Sequence, residues 1–398
     1  MKITILGAGL VGGPMARDMA ADKNVKVTAV DVSSRALNRL KKFPGIKTVQ
    51  EDLADIHTVK KVVRDADLVI SAVPGFMGFR TLQAVLEERK NVVDIAFFPE
   101  DPFQLDKLAK SKGAVAVVDC GVAPGMSNVL AAYAMKKLDR TKSIKIYVGG
   151  LPEVREYPYE YKAVFSPADV IEEYVRPARY VENGRMVTRP ALSDPEFLTF
   201  PGIGTLEAFN TDGLRTMAKT MTVPNMKEKT LRYPGHIEKM AVLRETGFFD
   251  TREVEVKGTR IRPLDFTAEI LFPKWKLKEG EADITVMKII VEGTKDRKPL
   301  TIIYDLFDRY DERTGIHSMA RTTGYTATTV ARMIAQGIHR KKGISAPEYI
   351  GANARCVKFL LAGLAERGVV YRERIEPTES KSSAQSLGQQ TLSWPPCN

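Results

Sequence analysis

The sequence predicts an α/β protein in which a doubly wound parallel sheet is followed by a mostly antiparallel α+β domain. Over the first 140 residues short apolar runs alternate with amphipathic stretches, and this βαβαβ rhythm requires helical crossovers on both faces of a parallel sheet. From about residue 142 the runs become partly alternating and are separated by Gly and Pro turns, which favours antiparallel pairing. A length of 398 residues has room for about two to three domains.

The predicted elements follow from these patterns. Buried strands are predicted over residues 3–6, 25–30, 68–73, 92–95 and 114–118, with helices over 15–21, 34–42, 55–63, 79–89 and 102–112. In the second part, strands are predicted over residues 144–148, 159–165, 253–261, 284–292 and 300–307, with helices over 206–220, 238–246, 326–336 and 353–366. Domain boundaries are predicted at 1–140, 141–318 and 319–374, and residues 375–398 are predicted to be a disordered tail.

Composition excludes several classes of protein. The chain has 44% hydrophobic and 27% charged residues, which is typical of a folded enzyme. No apolar run approaches about 20 residues, and the N-terminus lacks the pattern of a signal peptide, so a cytoplasmic protein without a membrane partner is expected. Cys120, Cys356 and Cys397 show no CxxC spacing, so neither a disulfide framework nor a metal site is expected.

The chain is basic, with 60 Lys and Arg against 49 Asp and Glu and a net charge of +11. Residues 309–374 contain 12 basic and 5 acidic residues, so +7 of this charge lies in one stretch. That stretch has neither a long block of like charge nor interleaved aromatic residues. We interpret it as solvated helix faces and expect no nucleic-acid partner. A nucleotide-sensing module that binds nucleic acid is the alternative from another functional class.

A glycine-rich motif points to a dinucleotide. Gly7-Ala8-Gly9-Leu10-Val11-Gly12 follows the first predicted strand directly and opens a helix. Gly7 permits a tight turn, Gly9 lets the backbone approach a pyrophosphate, and Gly12 lets the helix pack close to the sheet. The N–H groups at the helix start, beside Leu10 and Val11, then form an anion site. The motif therefore predicts a Rossmann domain; the alternative is that its glycines serve packing only.

Two further sites should contact the dinucleotide. Asp31 lies 19 residues beyond Gly12, at the end of the second predicted strand. A carboxylate at this position accepts hydrogen bonds from both ribose hydroxyls and repels a 2′-phosphate. This favours NAD over NADP, although Ser33, Ser34 and Arg35 follow closely and leave a phosphate pocket open as an alternative. Val73 and Pro74 lie where the strand at 68–73 ends and are predicted to line the nicotinamide side; an ordinary strand-ending turn is the alternative.

Several longer motifs resemble a known family. They are Gly75-Phe76-Met77-Gly78-Phe79, residues 93–100, Asp119-Cys120-Gly121-Val122-Ala123-Pro124-Gly125-Met126-Ser127-Asn128, residues 147–152, Phe165-Ser166-Pro167, residues 172–178 and Thr230-Leu231-Arg232-Tyr233-Pro234-Gly235-His236. Together these resemble the saccharopine dehydrogenase superfamily, most closely its lysine 6-dehydrogenase branch, over residues 1 to about 372. True saccharopine dehydrogenases carry acidic and histidine residues around the Pro-Gly turn, whereas this chain has Ala123, Ser127 and Asn128.

The resemblance implies an activity and an arrangement of domains. The activity is NAD-dependent oxidative deamination of the lysine ε-amine to a semialdehyde, which cyclises to 1-piperideine-6-carboxylate. The implied fold has C-terminal helices that return to the Rossmann domain and an inserted domain that often makes homodimer contacts. The alternative within the superfamily is a saccharopine or carboxynorspermidine dehydrogenase, which condenses an amine with a semialdehyde reductively.

Two carboxylates are candidates for proton transfer. Removing hydride from an amine carbon requires the neutral amine, and a lysine amine has a pKa of about 10.4, so the site must accept or displace a proton. Asp119 and Asp94 end neighbouring predicted strands at the edge where cofactor and substrate should meet. Either side chain is able to hold the ammonium and accept its proton; capping of the next loop is the alternative for both.

The remaining candidates depend partly on the resemblance. His236 is a candidate proton acceptor, with the alternative of a histidine held by Glu238 at a helix start. Arg176 occupies the place of an arginine that saccharopine-type enzymes use for a substrate carboxylate; a surface pair with Glu172 or Glu173 is its alternative. Tyr174 and Thr323 are predicted to line the substrate site. Cys120 has no neighbouring base and is interpreted as a small buried hydrophobe.

Overall fold

The computed structural model describes residues 1–278 and 280–378, which form two compact units. The first unit, called the cofactor unit below, comprises Met1–Lys136, Arg215–Thr220 and Asp308–Tyr371. The second unit comprises Lys137–Leu214, Met221–Phe307 and the described residues from Arg372 onward. Each unit is therefore assembled from separate stretches of the sequence.

The cofactor unit contains a parallel sheet. Its strands are β1 (Lys2–Leu6), β2 (Lys26–Asp31), β3 (Ile46–Gln50), β4 (Leu68–Ser71), β5 (Asn91–Asp94), β6 (Val115–Val117) and, from the C-terminal stretch, β17 (Gly343–Ser345). They lie in the order β17-β6-β5-β4-β1-β2-β3, and every neighbouring pair is parallel. The order reverses beside β1, which creates the switch point at which doubly wound sheets bind ligands.

Helices accompany this sheet. They are α1 (Gly12–Ala20), α2 (Ser34–Leu40), α3 (Ile56–Val63), α4 (Gly75–Glu87), a 3-10 helix (Pro102–Leu105), α5 (Asp106–Ser111), α6 (Met126–Met135), α8 (Met217–Thr220), α11 (Ser318–Ala335), α12 (Pro347–Gly351) and α13 (Ala354–Ala365). The C-terminal helix α11 packs against α1, which confirms the predicted return to the Rossmann domain. Gly324 permits this contact, because a Cβ there would lie 3.0 Å from Cγ of Met15.

The cofactor unit is held together by apolar strands that are buried on both sides of the sheet. Ile5, Val69, Ile70 and Val92 are all fully buried. Such uninterrupted apolar runs are the signature of parallel strands covered on both faces by helices. The predicted strands were recognisable for that reason, and the α/β fold class is confirmed.

The second unit contains a mixed, mostly antiparallel sheet. Its strands are β7 (Arg140–Pro152), β8 (Ala178–Glu182), β9 (Arg185–Arg189), β10 (Glu196–Phe200), β11 (Gly204–Asn210), β12 (Asn225–Arg232), β15 (Asp283–Lys295), β16 (Lys298–Arg309) and β18 (Tyr371–Pro377). A separate hairpin is formed by β13 (Val254–Val256) and β14 (Thr259–Ile261), and the helices are α7 (Pro167–Val175), α9 (His236–Glu245) and α10 (Pro263–Trp275). Within the sheet, β12 and β7 run parallel.

Several element predictions were wrong in this unit. Residues 206–210 belong to β11 and not to a helix, because Leu206 and Ala208 are buried on one side of the strand while Phe209 enters a separate aromatic cluster. This period of two overrides the helix propensity of Leu, Glu and Ala. Residues 159–165 form no strand, since their buried aromatic side chains join the same cluster.

Three smaller differences concern strands. The stretch 253–261 is a hairpin, because Lys257 and Gly258 have φ of 50° and 80° and turn the chain between β13 and β14. Strand β3 was missed, because it is a partly exposed edge strand with an alternating sequence. The tail prediction was wrong for residues 375–377, which belong to β18 beside β16, and residues 379–398 lie outside the described residues.

Candidate active site

The glycine-rich loop has the geometry that a dinucleotide requires. Gly7 has φ of +91°, and a Cβ there would lie 2.6 Å from the carbonyl oxygen of Ala72. At Gly12 a Cβ would lie 2.0 Å from the carbonyl oxygen of Gly7. By contrast, no atom lies within 4 Å of a Cβ built on Gly9. Two glycines therefore serve the close packing of loop, helix and β4, while the third presents bare backbone to a ligand.

The start of α1 lies beside this open backbone. Val11 occupies the N-cap position, and no side chain caps the helix there. Leu10, which precedes it, is one of the exposed large apolar side chains. An uncapped helix start that follows a glycine-rich turn is suited to a pyrophosphate, because the backbone N–H groups and the helix dipole both favour an anion.

Asp31 is held in place by backbone groups. The N–H of Ala8 donates to its Oδ2 at 2.6 Å, and the N–H of Ser33 donates to its Oδ1 at 2.7 Å. These bonds fix the carboxylate beside the glycine-rich loop, where it has lone pairs left for ribose hydroxyls. The Ser33 hydroxyl meanwhile accepts from the N–H of Ala36 and caps α2. Of the residues considered for a phosphate pocket, Ser33 is thus already engaged in the fold.

Val73 and Pro74 lie where strand β4 passes the same loop. The backbone nitrogen of Val73 lies 3.5 Å from a Cβ built on Gly7, and the Val73 side chain is buried. Pro74 is the N-cap residue of α4. The structure therefore places Val73 next to the glycine-rich loop and Pro74 at the start of α4.

Asp94 and Asp119 meet at the carboxyl ends of β5 and β6. The N–H of Cys120 donates to the backbone carbonyl of Asp94 at 3.0 Å, which ties the two strand ends together. Asp94 is completely buried; its Oδ1 accepts from the N–H of Ala96 at 2.8 Å, and its Oδ2 has no hydrogen-bond partner among the described residues. Burial, together with the nearby charge of Asp119, raises the pKa of Asp94 to about 7.

Arg215 completes this cluster, and the sequence had not indicated it. Its Nε lies 3.2 and 3.3 Å from the two carboxylate oxygens of Asp119, and its Nη2 lies 3.1 Å from Oδ1. The guanidinium also lies over the ring of Phe97, with Cζ 4.7 Å from its centroid. Arg215 falls in the stretch predicted as a helix, where an arginine is ordinarily interpreted as solvent-facing. Nothing in the sequence around Arg215 indicates that it forms a buried ion pair.

Thr323 lies on the other side of the same strand ends. Its Cγ2 is 3.2 Å from a Cβ built on Gly121, which follows Cys120. The Cys120 side chain is buried as interpreted, and burial raises the pKa of its thiol far above the usual value. Thus Asp94, Asp119 and Thr323 are brought together within the cofactor unit.

The Pro-Gly turn holds a buried polar network. The Asn128 Nδ2 donates to Glu348 at 3.2 Å, and the hydroxyls of Thr216 and Thr220 also donate to that carboxylate. Ser127 Oγ donates to Oδ1 of Asn128 at 2.9 Å. Glu348 was also missed, because a lone glutamate between Pro347 and Tyr349 gives no pattern. The polar side chains of the turn are therefore committed to holding residues 216–220 and α12.

His236 and Tyr174 lie in the aromatic core of the second unit. Their hydrogen bond measures 2.9 Å between the Tyr174 hydroxyl and Nε2 of His236, while Nδ1 lies 2.9 Å from the carbonyl oxygen of Tyr159. The predicted alternative of a bond to Glu238 is not formed. Burial lowers the pKa of His236 to about 3, with the nearby Arg232 charge as a second cause.

Arg176 ends α7 and interacts with its own helix. Its Nη2 lies 3.0 Å from Oε2 of Glu172, which is the surface pair considered as the alternative. Glu173 pairs instead with the buried Arg232. The structure therefore brings Arg176, Tyr174 and His236 into one unit, and their roles towards substrate stay predictions. Among the described residues, no group of three or more His, Cys, Asp and Glu side chains is arranged to hold a metal ion.

The described helices were compared with the length and hydropathy of membrane-spanning helices. None of the helices among residues 1–278 and 280–378 combines the length and the apolar character needed to cross a bilayer.

Family models and relatives agree with this arrangement. The model of the saccharopine dehydrogenase NADP binding domain matches residues 3–117, and that of the saccharopine dehydrogenase C-terminal domain matches residues 121–369. The carboxyaminopropylagmatine dehydrogenase of Synechocystis sp. is 25% identical over 94% of this chain and 97% of its own length. The saccharopine dehydrogenase [NADP(+), L-glutamate-forming] of Schizosaccharomyces pombe is 23% identical over 94% and 99%.

A longer relative and a solved structure complete the comparison. The mitochondrial alpha-aminoadipic semialdehyde synthase of Mus musculus is 23% identical over 87% of this chain, which spans 45% of that protein's length. The structure of apo saccharopine dehydrogenase (L-Glu forming) from Saccharomyces cerevisiae has a TM-score of 0.77 at 18% identity, covering 94% of this chain and 99% of its own. The shared fold, together with the two family models that span nearly all the described residues, identifies the chain as an NAD(P)-binding oxidoreductase of the saccharopine dehydrogenase family.

Proposed function

We propose that the chain oxidises a carbon that bears a primary amine, with NAD as the hydride acceptor and the L-lysine ε-amine as the substrate. The observation that carries this proposal is the Asp94 carboxyl, which is buried beside Asp119 and has one oxygen without a partner. It lies at the carboxyl ends of the strands, the edge where dinucleotides bind in doubly wound sheets. The product is the 6-semialdehyde, which cyclises to 1-piperideine-6-carboxylate.

The reaction needs a neutral amine and a place for its proton. A bound nicotinamide ring supplies the hydride acceptor. Ionised Asp94 takes a proton from the substrate ammonium onto its unpartnered Oδ2, and the amine lone pair then assists hydride loss from the adjacent carbon. Water adds to the resulting iminium carbon, and the nitrogen leaves as ammonium after it regains the proton held by Asp94, so that lysine, NAD and water give the semialdehyde, ammonium, NADH and a proton.

The Pro-Gly turn supports a substrate with one amino-acid end. Saccharopine carries two amino-acid ends and needs additional cationic or polar partners. In this chain Ala123 has no polar side-chain group, and Ser127 and Asn128 are buried and bonded within the network around Glu348. The turn therefore offers no charged side chain to a second carboxylate.

Asp31 supports NAD as the cofactor. Its fixed carboxylate would repel a 2′-phosphate, and the Ser33 hydroxyl already caps α2. The matching family model is named for NADP, and the Legionella pneumophila homospermidine synthase, an NAD complex with a TM-score of 0.63, has a similar fold. We therefore propose NAD as the preferred dinucleotide and test the preference below.

The second candidate is a reductive condensation of an amine with a semialdehyde. The names of two relatives favour it: the carboxyaminopropylagmatine dehydrogenase, and the Vibrio cholerae carboxynorspermidine synthase, which is 21% identical over 86% of this chain. The same Asp94 carboxyl would then exchange a proton with the secondary amine that this condensation forms.

One experiment separates the candidates. NADH formation is followed for the full chain with L-lysine and NAD at alkaline pH, and NADPH or NADH consumption is followed with semialdehyde and amine pairs. NADH formation from lysine that falls at least tenfold in Asp94→Asn supports the proposal. The matched control is Asp67→Asn, which removes a carboxylate from the opposite edge of the sheet, at the start of β4. Turnover only with a condensing pair would replace lysine oxidation by the second candidate.

A further inference from the structure

We propose that Arg215 is a positioning residue that holds Asp119 in a buried ion pair and leaves Asp94 as the carboxyl that exchanges a proton with the substrate amine. This inference rests on the proposed function, since it divides labour between the two aspartates of that site. It assigns a role to a residue outside every motif used in the sequence analysis.

The contact geometry makes Arg215 a fixed counter-charge. Both side chains of the pair are almost completely buried, at 3% exposure for Arg215 and 1% for Asp119. Two guanidinium nitrogens contact the carboxylate, and Phe97 and Phe98 lie under the guanidinium plane, with Cζ 4.7 and 5.7 Å from their centroids. Breaking this pair is costly, because removing either partner would leave the other charge buried and unpaired.

The backbone supports the same assignment. Asp119 and Arg215 both have φ of +50°, in the left-handed region that residues with a Cβ rarely adopt. Residue 215 is further anchored by its neighbours, because Thr216 and Thr220 donate to Glu348. Both residues of this ion pair therefore have an unfavourable backbone conformation, which persists only where the surrounding structure enforces it. Such strained residues are concentrated at functional sites.

The net charge of the cluster then indicates that Asp94 is the group that accepts the proton. The Asp119–Arg215 pair sums to zero, so the local charge is zero when Asp94 is protonated and −1 when it is ionised. A substrate ammonium is attracted only by the ionised form. When it transfers a proton to Asp94 Oδ2, an N–H bond breaks, an O–H bond forms, and both groups become neutral, which suits a buried site.

The other groups packed around Asp94 do not replace it in this role. Ser71, the register neighbour of Asp94 on β4, and Cys120 on the loop after β6 carry no charge, and the pKa of the thiol is raised far above neutrality. Helices α4 and α11 also pack against β5. Arg80 of α4 is exposed, and Arg321 of α11 is bonded to Asp308 and Asp311. Asp119 raises and Arg215 lowers the pKa of Asp94, so removal of Arg215 alone should raise it further.

The test compares Arg215→Gln, Arg215→Lys and the double variant Asp119→Asn/Arg215→Gln in the full chain. For each, kcat/KM for lysine at saturating NAD is measured from pH 5 to 10, together with the melting temperature. Arg215→Gln should move the acidic limb upward by about one pH unit or more, because it removes the cation that lowers the pKa of Asp94. Arg215→Lys should leave the limb within about 0.3 units, and the neutral double variant should return it towards the wild-type position.

The outcomes separate the two proposals. An acidic limb that does not move in Arg215→Gln, or that the double variant fails to restore, overturns the role of Arg215 even if melting temperatures fall. If Arg215→Gln does not fold, an acidic limb that moves by more than about 0.3 units in Arg215→Lys, or that lies far from the wild-type position in the double variant, overturns the role. If the wild type forms no NADH from lysine, the proposed function fails. A carbon-13 NMR titration of the Asp94 carboxyl, assigned with Asp94→Asn, then still shows whether its pKa rises without Arg215.

Discussion

The Tyr174 hydroxyl lies 2.9 Å from Nε2 of His236 inside an aromatic cluster, and both side chains are buried. Nδ1 of the same imidazole lies 2.9 Å from a backbone carbonyl oxygen, which accepts only, so Nδ1 carries the hydrogen and Nε2 accepts from the tyrosine. Both ring nitrogens of a neutral histidine are thereby satisfied. Protonation would leave Nε2–H facing the tyrosine hydroxyl and place a charge in the core near Arg232.

This pair predicts an acid-sensitive fold. Because the folded pKa of His236 is about 3 and the unfolded value is near 6.5, the unfolded state binds more protons between these limits. His236 therefore contributes stability that is complete above pH 6.5 and is lost as pH falls towards 3, about 4 to 5 kcal/mol in all. Urea unfolding of wild type and His236→Gln at pH 4, 5, 6 and 7 should converge as the pH drops. A constant difference would contradict the prediction.

The contribution of Asp94 to stability should change with pH in the opposite direction. Its folded pKa of about 7 exceeds the unfolded value of 3.8, so the folded state binds the additional proton between these limits. Stability from this group is present at pH 4 and is lost as the pH rises to about 7, by about 4 kcal/mol. The melting temperature of Asp94→Asn, which keeps an acceptor for the N–H of Ala96, should gain on the wild type between pH 4 and 8. Parallel curves would show that Asp94 is ionised in the folded protein throughout.

Alanine substitutions at Gly12 and Gly9 should affect stability and NADH binding differently. Gly12→Ala places a Cβ 2.0 Å from a backbone oxygen, so it should lower the free energy of unfolding by about 2 kcal/mol or more and weaken NADH binding. Gly9→Ala meets nothing within 4 Å, so it should keep the wild-type melting temperature and weaken NADH binding at least tenfold. Fluorescence titration with NADH gives both affinities. Wild-type affinity in Gly9→Ala would move the pyrophosphate away from this loop.

Asp31 predicts the dinucleotide preference. Asp31→Asn removes the charge while keeping the side-chain shape, so the ratio of kcat/KM with NADP to that with NAD should rise about tenfold, the equivalent of about 1.4 kcal/mol. Asp52→Asn is the matched control, because Asp52 also accepts a nearby backbone N–H but lies in an exposed turn. An unchanged ratio in Asp31→Asn would show that another group selects the cofactor.

The sequence predicted the cofactor unit well because its signals are local. Buried parallel strands are continuous apolar runs, and the glycine pattern encodes steric requirements that the structure shows at Gly7 and Gly12. Residues 206–210 show the limit. Their Leu, Glu and Ala favour a helix in isolation, and only pairing with β10 and β12 makes them a strand.

The candidate site was predicted only in part because buried polar pairs leave no periodic trace. Asp94 and Asp119 were recognisable from their positions after strands, whereas their partner Arg215 comes from 96 residues further along the chain than Asp119. Sequence alone could not distinguish His236 from a structural histidine, because its hydrogen-bond partners Tyr174 and Tyr159 lie 62 and 77 residues away in the chain. The homodimer implied by the family stays a prediction.

Strand β17 has a consequence for how the cofactor unit is made. It adds residues 343–345 to the edge of a sheet whose other strands end at residue 117, so during synthesis β6 remains an open edge while more than two hundred further residues emerge. Open edges of apolar parallel strands invite pairing with other chains. The nascent cofactor unit is thus most exposed to aggregation before its C-terminal stretch has been synthesised. Because β17 pairs with β6 across a long stretch of chain, the sheet is also slow to complete.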